Sequence, residues 1–151
     1  MKILKPLWHG VLDYGLAFAF LIAPSVLGFQ SEAARSLSQA IGATYIVASL
    51  LTRYPLGIVK LIPFPAHGVL ETIAALSWIA MPYFAGFSAD RAARNFFLSA
   101  GIALVLVVGI TDYRAATAGG ERRTGKKDRR LRMNHVGAER RLSVFPRRAH
   151  D

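Results

Sequence analysis

Two short stretches of this 151-residue chain carry side chains whose types and spacing could do chemistry: His9-Gly10-Val11-Leu12-Asp13 and His67-Gly68-Val69-Leu70-Glu71. In each, an imidazole precedes a carboxyl group by four residues, and residues four apart share one face of a helix. Imidazole with carboxylate suits zinc, iron or manganese, and pairs at this spacing build metal sites inside helical bundles. An imidazole that titrates at about pH 6.5 beside a buried acid can also pass protons. The plainer reading is structural, with each histidine bonded to its own carboxylate or to a neighbouring helix. The acids would then pair with Arg53, Arg114 or lysines at the membrane interface. Arg53 and Asp112 form a second constellation, opposite charges at corresponding places near the ends of two apolar segments, and read as an ion pair.

Other chemistries are excluded or unsupported. With no cysteine there is no disulfide framework, iron–sulfur site, thiolate zinc site or cysteine nucleophile. No nucleophile triad, phosphate-binding loop or nucleotide fingerprint is present, so no residue is assigned a catalytic role and the chain does not read as an enzyme. A histidine–aspartate pair alone is too common to indicate one.

The elements that must position these residues follow from composition. The chain is 53% hydrophobic yet carries a net charge of +10. From Arg114 onward lie 12 of the 19 basic residues and 4 of the 9 acidic ones, which leaves seven and five in residues 1–113. That first part is far less charged than a typical soluble domain, at about 25%, so lipid is its expected solvent. A bilayer-crossing helix needs roughly 20 mostly apolar residues. Four stretches qualify: Leu7 to Leu27, Leu37 to Leu51 or Arg53, Pro65 to Phe84, and Phe96 to Ile110 or Tyr113. The second is the least apolar. Helices are required because lipid offers no partners for open backbone groups. Trp8, Phe29, Tyr54, Phe64, Tyr83, Phe84, Phe87 and Tyr113 lie near the span ends, as an aromatic belt would. The expected fold is an all-α bundle of four transmembrane helices.

With four spans, the N-terminus, the loop between spans two and three and the C-terminal tail share one side. That side holds Lys2, Lys5, Arg53, Lys60 and the tail's basic residues, against Arg35, Arg91 and Arg94 on the other. The positive-inside rule places both termini in the cytoplasm, in an inner membrane. Lys2, Lys5 and the apolar run after them resemble a signal peptide, but His9 and Asp13 interrupt the run and no convincing small-x-small cleavage site follows.

The two chemical stretches belong to an internal repeat. A shift of 58 superposes His9 to Asp13 on His67 to Glu71, Pro24 on Pro82, Gly28 on Gly86 and Phe29 on Phe87. A shift of 59 then superposes Ala34-Arg35 on Ala93-Arg94, Gly42 on Gly101 and Thr52-Arg53-Tyr54 on Thr111-Asp112-Tyr113. Residues 1–58 and 59–116 thus read as two tandem helical hairpins that enter the membrane in the same direction, with a pseudo-twofold axis along its normal. If that axis passes between spans one and three, the two histidines and two carboxyls converge. An acid at mid-span costs about 2.5–3.5 kcal/mol on an insertion scale, which makes it a functional candidate by default. Polar contacts between membrane helices contribute only about 0.6 kcal/mol each.

The stretches Ile22-Ala-Pro-Ser-Val-Leu-Gly-Phe29 and Ile79-Ala-Met-Pro-Tyr-Phe-Ala-Gly-Phe87, each preceded by a His-Gly-Val-Leu-acid opening, resemble the SPW-repeat integral membrane proteins. The resemblance covers roughly residues 8–113. The tripeptide itself is not intact, since its positions read Ala23-Pro24-Ser25 and Met81-Pro82-Tyr83. The resemblance implies a small inner-membrane protein and brings no activity with it. The turn elements Pro24, Gly28, Phe29, Pro82, Gly86 and Phe87 have a structural reading. Proline removes a helix hydrogen bond, glycine takes the turn conformation, and phenylalanine anchors the loop in the interface.

Residues 117–151 form a basic cytoplasmic tail with too few apolar residues to bury a core, so disorder is expected. Acid-Arg-Arg recurs at Glu121, Asp128 and Glu139, and Arg140-Arg141-Leu142-Ser143 is an accidental match to a kinase pattern. Each Lys or Arg near an anionic leaflet gains about 1 kcal/mol, so anionic lipid headgroups are the expected partner and nucleic acid is not. Taken together, the sequence describes a non-enzymatic assembly or scaffold component, able to self-associate, with no resident cofactor. The alternative is a transporter or a metal- or proton-binding membrane protein centred on His9, Asp13, His67 and Glu71.

Overall fold

The computed structural model describes residues 3–113. The tail, its triplets and its lipid contacts lie outside the described residues, as does Arg114. Four helices follow in chain order: α1 Pro6–Val26, α2 Glu32–Leu51, α3 Phe64–Phe84 and α4 Arg91–Ile110. Among the described residues the only extended pairings are two isolated bridges.

Three helices, α1, α3 and α4, are long and apolar enough to cross a membrane. α2 matches them in length but not in apolarity, because its first half carries Glu32, Arg35, Ser36, Ser38 and Gln39. Both α2 and α4 begin five residues before the apolar runs that start at Leu37 and Phe96, since capping rather than hydrophobicity sets their first turns. Ser31 Oγ accepts from the Ala34 N–H at 3.3 Å and Asp90 Oδ1 from the Ala93 N–H at 3.1 Å. Large apolar side chains point outward from the spanning helices, among them Phe18, Leu106 and Phe84, the last 91% exposed. A water-soluble monomer rarely presents so much apolar surface; lipid is the solvent that accommodates it.

α1 packs along α2, and α3 along α4. Close approach within each pair depends on a glycine: a Cβ on Gly42 would lie 2.8 Å from the Ala17 carbonyl oxygen, and one on Gly101 2.8 Å from that of Ala75. Phe20 fills the centre, with ring centroids 4.5 Å from Trp78, 4.9 Å from Phe96 and 5.5 Å from Phe97.

α1 and α3 end alike. Gly28 (φ 65°) and Gly86 (φ 73°) adopt the left-handed conformation, and the N–H groups of Phe29 and Phe87 reach back to the carbonyls of Pro24 and Pro82 at 3.0 Å. This is a Schellman closure, whose outer residue folds onto the helix end. It corrects the expectation that Phe29 and Phe87 anchor the loops in the interface. Both are buried, Phe29 facing Phe96 at 5.8 Å and Phe87 facing Phe97 at 5.0 Å. The expected aromatic belt divides accordingly: Trp8, Tyr83 and Phe84 are exposed, whereas Phe29, Tyr54, Phe64 and Phe87 are buried.

The two helix pairs are tied at both ends. At one end, Asp90 Oδ2 accepts from the N–H groups of Gln30 at 2.7 Å and Ser31 at 2.9 Å. Slight desolvation works against ionisation here, but these donors and Ala93 outweigh it and hold the Asp90 carboxyl below the usual carboxylate range. At the other end, the segment before α1 pairs with the segment after α4. Ile3 and Leu4 donate to the Ile110 carbonyl at 2.8 and 3.1 Å, and Asp112 donates to that of Leu4 at 3.1 Å. The segment before α3 pairs in the same way with the one after α2, Ile62 to Leu51 and Arg53 to Ile62, both at 2.8 Å. These straps bring the C-cap threonine of each pair's second helix, Thr52 or Thr111, beside the first turn of the other pair's first helix.

Candidate functional site

α1 and α3 face one another through the first two turns of each helix. His9 and Asp13 come from α1, His67 and Glu71 from α3, and all four are at most 2% exposed. They form a closed ring in which each carboxylate lies between both imidazoles. His9 Nε2 is 3.4 Å from Asp13 Oδ1 and 3.0 Å from Glu71 Oε2. His67 Nε2 is 3.4 Å from Asp13 Oδ2 and 3.4 Å from Glu71 Oε1. With one ligand atom taken from each residue, all four atoms lie within 4.8 Å of one another. The spacing of four along each helix places both side chains on the inner face, and the opposition of α1 and α3 completes the set.

The orientation of the imidazoles is determined from outside the ring. His9 Nδ1 lies 3.0 Å from Thr111 Oγ1, and His67 Nδ1 lies 2.9 Å from Thr52 Oγ1. Each threonine hydroxyl already donates its one hydrogen to a carbonyl four residues earlier, Val107 at 2.6 Å and Ala48 at 2.7 Å. The hydroxyl oxygen can therefore only accept from the histidine, and by this donor count both Nδ1 atoms carry the proton. Both Nε2 atoms then face the ring. Neither makes a well-formed hydrogen bond, and Asp13 Oδ2 and the hydroxyls of Ser49 and Tyr54 lie near one another without closing one. The Nε2–oxygen separations of 3.0–3.4 Å are those of ion pairs, and both Nε2 atoms lie beside both carboxylates.

The ring is roofed by aromatic side chains. Phe64 stacks on Tyr54 at 5.8 Å and meets Tyr113 at 4.8 Å, with His9 edge-on to Phe64 at 5.2 Å. The glycine of each His-Gly pair makes room for this roof: a Cβ on Gly10 would lie 2.0 Å from the Tyr54 ring, and one on Gly68 2.6 Å from that of Tyr113. Glu71 is held on both oxygens. Tyr45 donates to Oε1 at 2.5 Å and Tyr113 to Oε2 at 2.9 Å.

These four residues could hold a divalent cation. Ligand atoms at about 2.0–2.1 Å from zinc stand about 3.3–3.4 Å apart in a tetrahedron; one ligand atom from each residue lies within 4.8 Å of the others, so the side chains would draw together around the ion. The charge also matches, because two carboxylates and two neutral imidazoles total −2. Histidines whose other nitrogen donates to a neighbouring oxygen are the usual arrangement of metal ligands.

No known protein family, curated protein or solved structure matches this chain. The geometry therefore carries the functional argument by itself.

Of the residues singled out in the sequence, the structure brings together His9, Asp13, His67 and Glu71. It does not join Arg53 to Asp112. Among the described residues, the ion pairs within 4 Å are the four of the ring. Arg53 Nε instead donates to the Lys60 carbonyl at 2.6 Å. Arg53 and Asp112 follow helices of different pairs, and each is bound through its backbone N–H into its own strap. The turn residues Pro24, Gly28, Phe29, Pro82, Gly86 and Phe87 lie at the opposite end of α1 and α3 and take no part in the ring. Sequence reasoning missed Thr52, Thr111, Tyr54, Tyr113 and Tyr45 as parts of the site. For the first four a signal existed: Thr-x-Tyr recurs in both halves along with His-Gly-x-x-acid.

Proposed function

We propose that this is a four-span inner-membrane protein made of two repeated helical hairpins, with both termini cytoplasmic, that binds a divalent transition-metal ion in its ring of His9, Asp13, His67 and Glu71. The observation that carries the reading is the pair of buried histidines with Nδ1 committed to Thr111 and Thr52, and Nε2 turned without a well-formed hydrogen bond toward two carboxylates. Burying two acids is costly unless a positive charge compensates them, and one divalent ion does so without protonating either imidazole. The repeat is supported by contacts that recur at equivalent positions: Thr111 on His9 and Thr52 on His67, Tyr54 under Gly10 and Tyr113 under Gly68, and the two straps. The paired turn elements, Gly28 with Phe29 and Gly86 with Phe87, recur in the same way. In this arrangement α2 crosses with its polar half near the Asp90 end, and the basic tail rests on anionic headgroups of the cytoplasmic leaflet.

Elemental analysis of the detergent-purified protein after incubation with zinc tests the proposal. One ion per chain is expected in the wild type and none in the His9→Ala/His67→Ala variant. A metal-free wild type would refute the metal site, and a pH-dependent flux assay would then separate proton handling by the ring from a scaffold role.

A further inference from the structure

The ring looks two-fold at first sight, but its surroundings are not. Positions 45 and 104 correspond under the same shift of 59 that superposes Thr52 on Thr111, yet one is tyrosine and the other leucine. Tyr45 donates to Glu71; Leu104, at the corresponding place beside Asp13, has nothing to donate. The second tyrosine repeats the difference. Tyr113 donates to Glu71 at 2.9 Å, whereas its counterpart Tyr54 lies near Asp13 and Ser49 without closing a well-formed hydrogen bond to either. Glu71 is thus held through both oxygens by phenolic donors within 2.9 Å, while Asp13 Oδ2 has no donor as close, His67 Nε2 standing 3.4 Å away. Both acids border apolar grooves, Asp13 one of about 470 Å³ between α1 and α4 and Glu71 one of about 350 Å³ between α2 and α3, and only the second supplies a phenolic donor, Tyr45.

Building on the metal-site reading above, we propose that His9, His67 and Glu71 are the permanent ligands and that Asp13 is an exchangeable fourth, whose place is taken by water or a small oxygen- or nitrogen-donor anion. Three fixed protein ligands with one open position is the pattern of reactive zinc sites, whereas four fixed ligands is that of structural ones. Hydrogen bonds that hold a carboxylate fix its direction before the ion arrives, so loss of the Asp13 ligand disturbs the more weakly held of the two acids. The unequal support makes the two acids unequal in function despite their equivalent positions.

Cobalt(II) serves as the probe, bound to the full chain in detergent micelles and followed by its visible absorption, with azide as the exogenous anion. Wild type must first take up one cobalt per chain; failure there refutes the metal-site reading and this one with it. Given uptake, Asp13→Asn is expected to keep stoichiometric cobalt and to shift its spectrum when azide is added, whereas Glu71→Gln loses the ion. Because Glu71→Gln can fail to fold, Tyr45→Phe provides a second measure with all four ligands intact. Removal of a donor to a charged ligand should weaken cobalt binding by about tenfold. Leu104→Tyr, which supplies Asp13 with the hydroxyl it lacks, should reduce the azide response of a site that still binds cobalt. Circular dichroism and a monodisperse elution profile confirm that each variant is folded. Equal losses in Asp13→Asn and Glu71→Gln would overturn the assignment. So would retention in Glu71→Gln with loss in Asp13→Asn, or a Tyr45→Phe affinity equal to wild type.

Discussion

Replacement of Thr52 by valine tests the part of the argument on which the metal site depends most. Valine keeps the shape of the side chain and deletes only the oxygen, which accepts from His67 Nδ1 at 2.9 Å and donates to the Ala48 carbonyl at 2.7 Å. Thr52 is fully buried and His67 nearly so, so no water replaces the lost acceptor. A buried donor left without an acceptor costs about 1–3 kcal/mol. Without metal, the ring can relieve that cost by moving the proton to Nε2, where carboxylate oxygens stand 3.4 Å away. With metal, Nε2 must stay bare and the cost remains. The affinity loss is therefore expected in the range of about 10–100-fold typical for outer partners of metal-bound histidines. Thr111→Val removes the matching 3.0 Å contact to His9 and should cost as much. Zinc affinity measured by competition with a chromophoric chelator in detergent checks both. If Thr52→Val and Thr111→Val each bind zinc within twofold of wild type, the hydroxyls do not set the tautomer and the reasoning fails.

Two further expectations follow from contacts outside the ring. Gly68→Ala forces a Cβ to within 2.6 Å of the Tyr113 ring that holds Glu71, so it should destabilise the protein by about 1–3 kcal/mol in a detergent unfolding titration. Gly15→Ala, whose Cβ meets nothing within 4 Å, should be neutral or stabilising, and equal effects of the two would contradict the close packing of the roof. Asp90→Ala removes an N-cap and the tie to Gln30 and Ser31, at a cost of about 1 kcal/mol. Because the folded carboxyl titrates below its ordinary value, its contribution is complete above the unfolded pKa and is lost as the pH falls through the folded one. The wild-type advantage over Asp90→Ala should accordingly be present at neutral pH and disappear on acidification, and a pH-independent difference would rule out the charge as its source.

Much of the architecture is legible in the residue order because its causes are local or periodic. Lipid demands long apolar helices, and the runs around α1, α3 and α4 are such helices. The starts of α2 and α4 are not legible from the apolar runs, because apolarity marks where lipid begins, whereas Ser31 and Asp90 mark where backbone donors need a cap. Phe29 and Phe87 were placed in the interface because aromatic residues near span ends usually sit there; the left-handed glycine before each turns it inward instead. Arg53 and Asp112 carry opposite charges at positions that a shift of 59 superposes in the sequence, but such correspondence does not make two residues adjacent. Here each is bound into a different strap.

For the site itself, the sequence alone determined that two histidine–acid pairs lie on helix faces, because a spacing of four residues has one geometric meaning in a helix. It determined also that both pairs occupy corresponding places, because the repeat carries them. Only the tertiary structure decided that α1 and α3 oppose one another, so that two pairs become one ring. It alone showed that the threonine closing each hairpin serves the histidine of the other, and that a tyrosine matched by a leucine leaves Asp13 without the support given to Glu71. The physical reason is the range of the interactions. Helix periodicity acts within a turn and is written in neighbouring residues, whereas the ring depends on contacts between residues as far apart as His9 and Thr111, which only the packing of the two hairpins creates.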